Sequence, residues 1–389
     1  MIRIPEKNYD GLEKIHFDNI KDYLEDAINF YINCCNIAQK NIDGSQYLEN
    51  VKKYKHFNTI KSWVSAVISE KDIKNIEYDN MIPEFKRYSK KVNDILVQML
   101  NKESLIYFAN IILSKPPELI DIYNNIINHC TEMESLVNEK GMEDSFLKDI
   151  FYKIFNYDRF TTNGFLNSWN AYELCERLDI NVCPYCNRIY TFTIRKSRNN
   201  IISNTEKDKI NIIRPELDHY FPQSKYPMFA LSFFNLIPCC KICNSSIKGQ
   251  KELRIDENLH PYINELHESY EFDYEPLDIS AFDGRKENIK IRISKGAKDL
   301  KSDNNLKFFH IETIYERHRD VVARLISTRK TYTDSVLEEI KDLLNSHGKV
   351  TSTDDLFNDL FNKPKPHEVL NTSLGKLNKD IISKLKKIK

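Results

Sequence analysis

Apolar residues in the first third of the chain recur at the spacing of an amphipathic helix. After Asp18, a suitable N-cap, they follow one stripe of period 3.6 that ends at Ala38. Further helical patterns cover residues 58–69, 92–114 and 117–138. The pair Pro116-Pro117 is expected to end a helix, because proline lacks an amide donor and restricts the residue before it. The pattern predicts a helical domain over residues 1–165.

Strand-like alternation replaces this helical spacing in the second half of the chain. Short alternating or apolar segments lie at residues 189–194, 217–221, 236–238, 268–274 and 288–294. The last two are expected to pair across the turn at Asp283-Gly284, and the polar residues 196–209 are expected to form a surface insertion. Helical patterns return over residues 305–347 and 376–387. Gly348 follows the first of these as a C′ glycine would.

Charge is balanced over the whole chain but not along it. Lys and Arg number 57, as do Asp and Glu, yet residues 151–250 hold 13 basic and 8 acidic side chains, against 19 and 24 in residues 1–150. A local positive field favours a polyanionic partner even when the total charge is zero. The longest nearly uncharged apolar stretch, residues 229–240, is far shorter than the roughly 20 residues that span a bilayer, and no apolar leader opens the chain. We therefore expect a cytoplasmic protein without membrane contact.

Four of the nine cysteines form two CxxC pairs, Cys183-Pro-Tyr-Cys186 and Cys240-Lys-Ile-Cys243. Each pair forms a knuckle that presents two thiolates to one ion, and two knuckles complete the tetrahedral shell of structural Zn²⁺. The thiols are expected to be reduced, because nothing in the sequence marks the chain for export. The knuckles are 54 residues apart, so a folded segment is expected between them. Cys239 has the wrong spacing for a knuckle and is expected to be a neighbour.

The segment between the knuckles carries side chains that suit phosphodiester chemistry. Asp218, on the first of two short predicted strands, supplies a carboxylate oxygen, and Asn244 supplies an amide oxygen at the start of the helix that follows. Both atoms suit Mg²⁺. His219 is a candidate general base for an attacking water, provided that a local twist brings it to the face of Asp218. Because Asn244 directly follows the expected zinc ligand Cys243, the knuckle would fix where Asn244 points.

The order CxxC … DHxxP … N … CxxCN … K resembles the HNH endonucleases, also called ββα-metal nucleases, in the subset with a four-cysteine zinc site. The resemblance covers about a fifth of the chain. It implies that Asp218 binds a catalytic Mg²⁺ or Mn²⁺, that His219 is the general base, and that Asn244 is the final metal ligand. It also implies that Asn235 ties the loop to the helix and that Lys248 contacts phosphate. Asn244 stands where the motif that gives the family its name ends in His.

The expected fold class is α+β, a mainly α-helical protein with a central zinc-bound ββα-metal (HNH) nuclease module and a small β-hairpin after it. The expected parts are a helical N-terminal domain (1–165), the nuclease module (166–262), a β-hairpin extension (263–304) and a C-terminal helical region (305–389). The N-terminal part is acidic and would repel the phosphate backbone. We expect it to dock a protein partner or to cap the module.

The positive segment is expected to hold nucleic acid through phosphate contacts. The residues expected to make them are Arg188, Arg214, Lys241 and Lys248. Tyr190 could stack a base if it lies on an exposed strand face. No helix-turn-helix or zinc-finger reader is visible in the sequence, so weak sequence preference is expected.

A second similarity extends downstream of the knuckles. His260-Pro261-Tyr262 and the stretch from Tyr315 to His318 are similar to the HNH proteins of Septu-type and retron-associated anti-phage systems, which work with an ABC-type ATPase. The resemblance implies a metal-dependent DNA endonuclease that is the effector of an antiviral defence system and has an ATPase partner. Two alternatives stay open: an RNA-cleaving nuclease or toxin on the same scaffold, and a catalytically silent zinc module that binds nucleic acid.

Overall fold

The computed structural model describes residues 1–43, 63–68, 76–130, 146–162, 164–165, 169–197 and 209–387. The helices before the first strand are α1 (Leu12–Ala38), α2 (Pro83–Leu100), α3 (Phe108–Leu113), α4 (Pro116–Cys130), α5 (Phe146–Ile154), α6 (Tyr157–Thr162) and α7 (Ala171–Leu178). Helix α1 packs against α2, α3 and α5 and forms the centre of this helical part. The mainly helical α+β class predicted from the sequence is confirmed.

Helix α1 begins earlier than its sequence pattern indicates. It starts at Leu12, directly after Gly11, which has a φ of 75°. The predicted N-cap at Asp18 is therefore wrong, and Asp18 lies inside the helix, where its carboxylate pairs with Lys21 at the surface. The reason is that the buried stripe extends further toward the N-terminus, through His16 to Leu12.

The helix predicted over residues 92–114 is two helices, α2 and α3. Helix α2 begins at Pro83, whose fixed φ suits the first helical turn. It ends at Leu100, and in the turn that follows, the Asn101 side chain accepts a hydrogen bond from the Glu103 amide (3.1 Å). Helix α3 stops at Leu113, before Pro116-Pro117, as predicted. Residues 58–62, 69 and 131–138 of the other predicted helices lie outside the described residues.

Strands β1 (Ile194–Ser197) and β2 (Lys209–Ile213) form the first two-stranded antiparallel sheet. The strand predicted over residues 189–194 is wrong in its position, because β1 starts only at its last residue. The preceding segment instead folds back on the first knuckle, where the Cys183 amide bonds the Ile189 carbonyl (3.0 Å). The central part of the predicted insertion, residues 198–208, lies outside the described residues.

The second sheet pairs β3 (Glu216–His219) with β4 (Leu236–Cys239) in antiparallel register, with Asp218 opposite Ile237 and His219 opposite Leu236. Both strands were predicted. A wide helical turn follows at Ile242–Lys248, in which the amide of Gly249 bonds the Asn244 carbonyl, five residues back (2.7 Å). This segment is called the site helix below. The local order is therefore strand, strand and helix.

The third sheet, β5 (Tyr270–Pro276) with β6 (Ile289–Lys295), confirms the predicted downstream hairpin. Gly284, in the connection, has a φ of 77°, which suits glycine. The helices that follow are α8 (Leu300–Phe308), α9 (Ile311–Tyr315), α10 (Arg319–Thr331), α11 (Asp334–Ser346), α12 (Thr353–Leu360) and α13 (Gly375–Leu385). The helical stretch predicted over 305–347 is thus divided, and its first break is at His310, which has a φ of 51°. Gly348 follows α11 with a φ of 80°, as predicted.

One cluster of buried apolar side chains extends from Ile4 to Leu385 through all of these parts. Every helix in the described ranges is too short or too polar to cross a bilayer. The boundaries at residues 165, 262 and 304 stay predictions.

Candidate metal centre and adjoining cleft

Four cysteines meet in a buried cluster at the two knuckles. The Sγ atoms of Cys183, Cys186, Cys240 and Cys243 all lie within 4.8 Å of one another, and those of Cys186 and Cys240 are 3.9 Å apart. Tetrahedral zinc with Zn–S bonds of about 2.3 Å would separate its sulfurs by roughly 3.8 Å. The four cysteines therefore form a site that can bind a metal ion and whose size is consistent with zinc.

The chemistry of the four sulfurs also suits a cation. Hydrogen bonds from the neighbouring thiols hold the pKa of Cys186 far below its usual range, while burial raises that of Cys183. Because zinc binds cysteine as the thiolate, a bound ion would stabilise all four cysteines in deprotonated form. Cys239 is buried beside the cluster but is not part of it, as predicted.

A cleft of about 650 Å³ opens where β3 meets the site helix. Its walls include Asp218 and His219 from β3 and Asn244 and Lys248 from the site helix. Glu216, Ser245, Arg214, Tyr157 and Tyr152 also line it. Four of the residues singled out in the sequence for phosphodiester chemistry therefore border one cleft, even though 25 residues separate His219 from Asn244 along the chain.

Asp218 is buried at the inner end of this cleft and both of its carboxylate oxygens have partners. Oδ1 accepts from the Lys248 ammonium (2.9 Å), and Oδ2 accepts from the Tyr185 hydroxyl (2.7 Å). The side chains of Asp218 and Lys248 are each only 2% exposed. Stability alone gives little reason for such a pair, because the desolvation of two charges offsets most of their attraction. Lys248 also donates to the His219 carbonyl (2.7 Å).

His219 is half-buried at the end of β3, with its ring packed edge-on against Tyr157 (centroids 4.5 Å apart). Its Nε2 is 3.0 Å from the Ala230 carbonyl oxygen. Because a carbonyl only accepts, Nε2 carries the hydrogen and the lone pair of the neutral ring is on Nδ1. Burial lowers the pKa of His219 below its usual value, and the Ala230 carbonyl opposes this only in part. The ring is therefore neutral at neutral pH.

Glu216 and Asn244 form the outer wall of the cleft. One Glu216 oxygen accepts from both the Asn244 amide and the Ser245 hydroxyl, each at 2.9 Å. Within the described part of the chain, no Lys, Arg or His side chain pairs with this carboxylate. The cleft thus contains a second carboxylate whose charge is not balanced by a basic side chain.

Asn235 is fully buried and ties together the loop that joins β3 to β4. Its Oδ1 accepts from the Phe221 amide (2.7 Å), and its Nδ2 donates to the Phe221 and Phe229 carbonyls (3.2 and 2.9 Å). These bonds cross-link the loop to itself at its two ends. Asn235 is therefore placed where it shapes the loop that carries Ala230, the partner of His219.

The expected phosphate-contacting residues are not gathered at one place. Arg214 lines the cleft, donates to the Pro215 carbonyl (2.7 Å) and lies over the Tyr172 ring. Lys241 is exposed beside Cys240, outside the cleft walls, and Arg188 bonds His318 (2.9 Å) elsewhere on the surface. Only Arg214 and Lys248 of this set border the cleft.

Two residues of the site were missed in the sequence. Glu216 lies two positions before Asp218, and the period of a strand places such residues on one face, which could have indicated it. Tyr185 lies inside the first CxxC pair, and its ring stacks on Phe309 (4.6 Å), as a residue packed around the metal centre would. The hydrogen bond from Tyr185 to Asp218 could not be predicted from the sequence, because the two residues are 33 positions apart.

The cleft offers oxygen donors that suit a hard divalent cation, but its side chains do not surround such an ion completely. Carboxylate oxygens of Glu216 and Asp218 and the amide oxygen of Asn244 are the donor types that Mg²⁺ and Mn²⁺ prefer, and Mg²⁺ usually takes one or two carboxylates plus waters and phosphate. In the described residues, the four cysteines are the single cluster of three or more metal-ligating side chains.

No protein-family model and no solved structure matches this chain. Among curated proteins, it is similar to "Protein ea31" of Escherichia phage lambda, with 41% identity over 51 residues. The similarity covers 12% of this chain and 17% of that protein. It is a local likeness to a short part of that protein and does not define a family for the chain.

Proposed function

We propose that this protein is a metal-dependent HNH endonuclease that hydrolyses phosphodiester bonds of DNA. The observation that carries the proposal is the convergence of Asp218, His219 and Asn244 on one cleft, built from two antiparallel strands and a helix beside a four-cysteine centre. This is the arrangement that the resemblance to ββα-metal nucleases implies.

The state of His219 supports its role as the general base. A base must be unprotonated at the working pH and must have an oriented lone pair. Burial keeps the pKa of His219 low, and the bond from Nε2 to Ala230 leaves the lone pair on Nδ1. Nδ1 of His219 is accordingly the atom that takes the proton of the attacking water.

The charges in the cleft support a divalent cation, Mg²⁺ or Mn²⁺. Glu216 and Asp218 would repel a phosphodiester, and Lys248 balances only one of them. A bound cation would supply positive charge to the phosphate oxygens. Asp218 and Asn244 would hold it, Glu216 would orient Asn244, and Arg214 at the rim would contact the backbone phosphate.

The test is cleavage of a supercoiled plasmid with Mg²⁺ or Mn²⁺ by the full-length protein and by His219→Ala. We expect the substitution to lower the cleavage rate by about 10²–10⁴-fold, which is the usual contribution of a general base. Zinc content should stay unchanged, because His219 is outside the cysteine cluster. His367→Ala is the matched control, since His367 is exposed at the surface and does not line the cleft.

Full cleavage by highly purified His219→Ala protein would overturn the assignment. A single-stranded RNA of the same sequence is the second substrate, and cleavage of RNA without cleavage of DNA would replace DNA in the proposal.

We also propose that the protein is the effector of an anti-phage defence system and works with an ABC-type ATPase. The support is the resemblance of the His260-Pro261-Tyr262 and Tyr315–His318 stretches to nucleases of such systems. In the structure, Tyr262 and Tyr315 are buried and bond to the strands and knuckles of the proposed module: Tyr262 donates to the Leu236 carbonyl (3.2 Å) and Tyr315 to the Cys186 carbonyl (2.7 Å). The acidic helical part, residues 1–165, is the part of the protein that we propose binds the ATPase.

A further inference from the structure

The buried hydroxyl of Tyr185 joins the metal centre to the carboxylate of the cleft. Tyr185 lies between two cysteines of the first knuckle, Cys183 and Cys186, and donates to Asp218 Oδ2 at 2.7 Å. Asp218 comes from β3, which is a different part of the fold. This bond is therefore a direct contact between the first knuckle and the residue that we assign to the cleft.

The position of the Tyr185 ring is fixed from the side of the knuckle. The Asn187 amide bonds the Cys183 carbonyl (2.8 Å), which closes the loop around Tyr185. Its ring is fully buried and stacks on Phe309, with centroids 4.6 Å apart and planes 20° from parallel. The hydroxyl consequently has little freedom to follow Asp218, so Asp218 must adapt to it.

This fixed donor determines which carboxylate oxygen is directed to the cleft. With Oδ2 held by Tyr185, Oδ1 is the oxygen that meets Lys248, a residue of the cleft wall. Asp218 is only 2% exposed, so the Tyr185 hydroxyl takes the place that solvent would otherwise have at Oδ2. Without the hydroxyl, the carboxylate would lose a hydrogen bond and its orientation together.

We propose that Tyr185 is a positioning residue that holds the Asp218 carboxylate in the orientation that a divalent cation needs, and so couples the cysteine centre to the cleft. The proposal rests on the proposed nuclease function, since it concerns the same carboxylate. Tyr185 itself does not touch the substrate.

The test compares Tyr185→Phe with Tyr315→Phe in the full-length, zinc-loaded protein. Both substitutions remove one buried hydroxyl at the same knuckle, but Tyr315 donates to the Cys186 carbonyl and not to Asp218. Mn²⁺ is the probe, and its binding is measured by electron paramagnetic resonance of the free ion. The Asp218→Asn variant shows how much of the measured Mn²⁺ binding takes place in the cleft and how much elsewhere on the protein.

We expect Tyr185→Phe to raise the dissociation constant for Mn²⁺ by about 10-fold, the usual effect of losing a hydrogen bond to a charged group. The Mn²⁺ concentration for half-maximal plasmid cleavage should rise equally, while the rate at saturating Mn²⁺ approaches that of the wild type. Zinc content should not change. Tyr315→Phe should leave Mn²⁺ affinity as it is.

The outcomes separate this proposal from the proposed function. If Tyr185→Phe binds Mn²⁺ like the wild type while His219→Ala loses cleavage, the positioning role is wrong and the nuclease stands. If the wild type does not cleave and Asp218→Asn does not alter Mn²⁺ binding, both are wrong. A drop in the maximal rate together with loss of zinc would show that Tyr185 only supports the knuckle, and would also overturn the proposal.

Discussion

The two hydrogen bonds of the buried His16 ring can form together only in its neutral form. Its Nε2 is 2.9 Å from the Leu231 carbonyl oxygen, so it donates there, and its Nδ1 accepts from the Trp169 indole (3.0 Å). A second proton would have to go on Nδ1 and would break the bond from Trp169. Burial accordingly lowers the pKa of His16 from 6.5 to about 4.

This shift predicts that the protein loses stability in mild acid. Below pH 6.5 the unfolded chain takes up a proton at His16, whereas the folded chain does so only near pH 4. The contribution of His16 is thus complete above about pH 6.5 and is lost as the pH falls toward 4. Between pH 7.5 and 5 we expect a decrease of about 2 kcal/mol in the free energy of unfolding from this residue. Urea unfolding at the two pH values measures it.

The control for the acid effect is His16→Gln, whose amide can still donate to Leu231 but does not titrate. The variant should be less stable at pH 7.5, yet its loss between pH 7.5 and 5 should be smaller by about 2 kcal/mol. An equal loss in the two proteins would assign the acid sensitivity to other groups, such as His260, whose pKa burial lowers to about 3.

Residue types and local spacing in the sequence identified the centre of the site but not its contacts. Asp218, His219 and Asn244 were found because their chemistry is unusual next to CxxC pairs, and all three border the cleft. The partners of Asp218 could not be predicted. Both Lys248 and Tyr185 are about 30 residues away along the chain, and only the packing of the knuckles against β3 brings them together.

At the scale of elements, the two knuckles bring together segments that are far apart along the chain. The first knuckle follows α7, and the second joins β4 to the site helix. A metal ion bound by all four cysteines closes the chain between them, and its binding free energy is also folding free energy. Asn244 and Lys248 depend on this closure, because the site helix begins at the second knuckle.

Cys183→Ser is therefore expected to remove the metal and to destabilise the fold. Zinc content should fall from about one ion per chain to nearly none, with an earlier thermal transition and loss of cleavage, because three ligands do not close the tetrahedral site. Zinc content by mass spectrometry and melting by circular dichroism measure both effects. Cys239→Ala is the matched control, since Cys239 is equally buried beside the cluster but is not one of its four members. Zinc retained by Cys183→Ser with normal melting would contradict the metal site.

The sequence predicted a helix or strand well where buried side chains alternate regularly along one of its faces. It predicted poorly where contacts with distant parts of the chain decide where a strand begins or ends. The hairpin of β5 and β6 alternates cleanly, with Ile289, Ile291 and Ile293 buried, and it was found. The strand over residues 189–194 was misplaced because its apolar Tyr190 and Phe192 are exposed, and the chain there follows the knuckle. Alternation of apolar and polar residues does not by itself show whether another part of the protein will cover the apolar face of a strand.

At the scale of the whole molecule, the helical part and the proposed nuclease module share their packing. His16 of α1 bonds Leu231, and the Ser232 hydroxyl donates to the Ile111 carbonyl of α3. Near the start of the chain, the amides of Ile2 and Ile4 bond the Pro184 and Pro261 carbonyls (2.8 and 2.7 Å). The acidic helices thus cover the module directly, whether or not they also dock a partner.

This shared packing predicts that residues 166–389 do not fold alone. Without residues 1–165, the buried Leu231 and Ser232 would lose the side chains that cover them, and Tyr157 would no longer pack on His219. We expect the truncated chain to be insoluble or to melt without a cooperative transition, and co-expression of residues 1–165 as a separate chain to restore folding and zinc binding. A truncated chain that melts cooperatively with one zinc bound would show that the module is independent. Docking of the proposed ATPase is for this reason measured by co-purification with surface variants of the full-length protein, in which loss of binding reports on the surface of the helices and not on the collapse of the core.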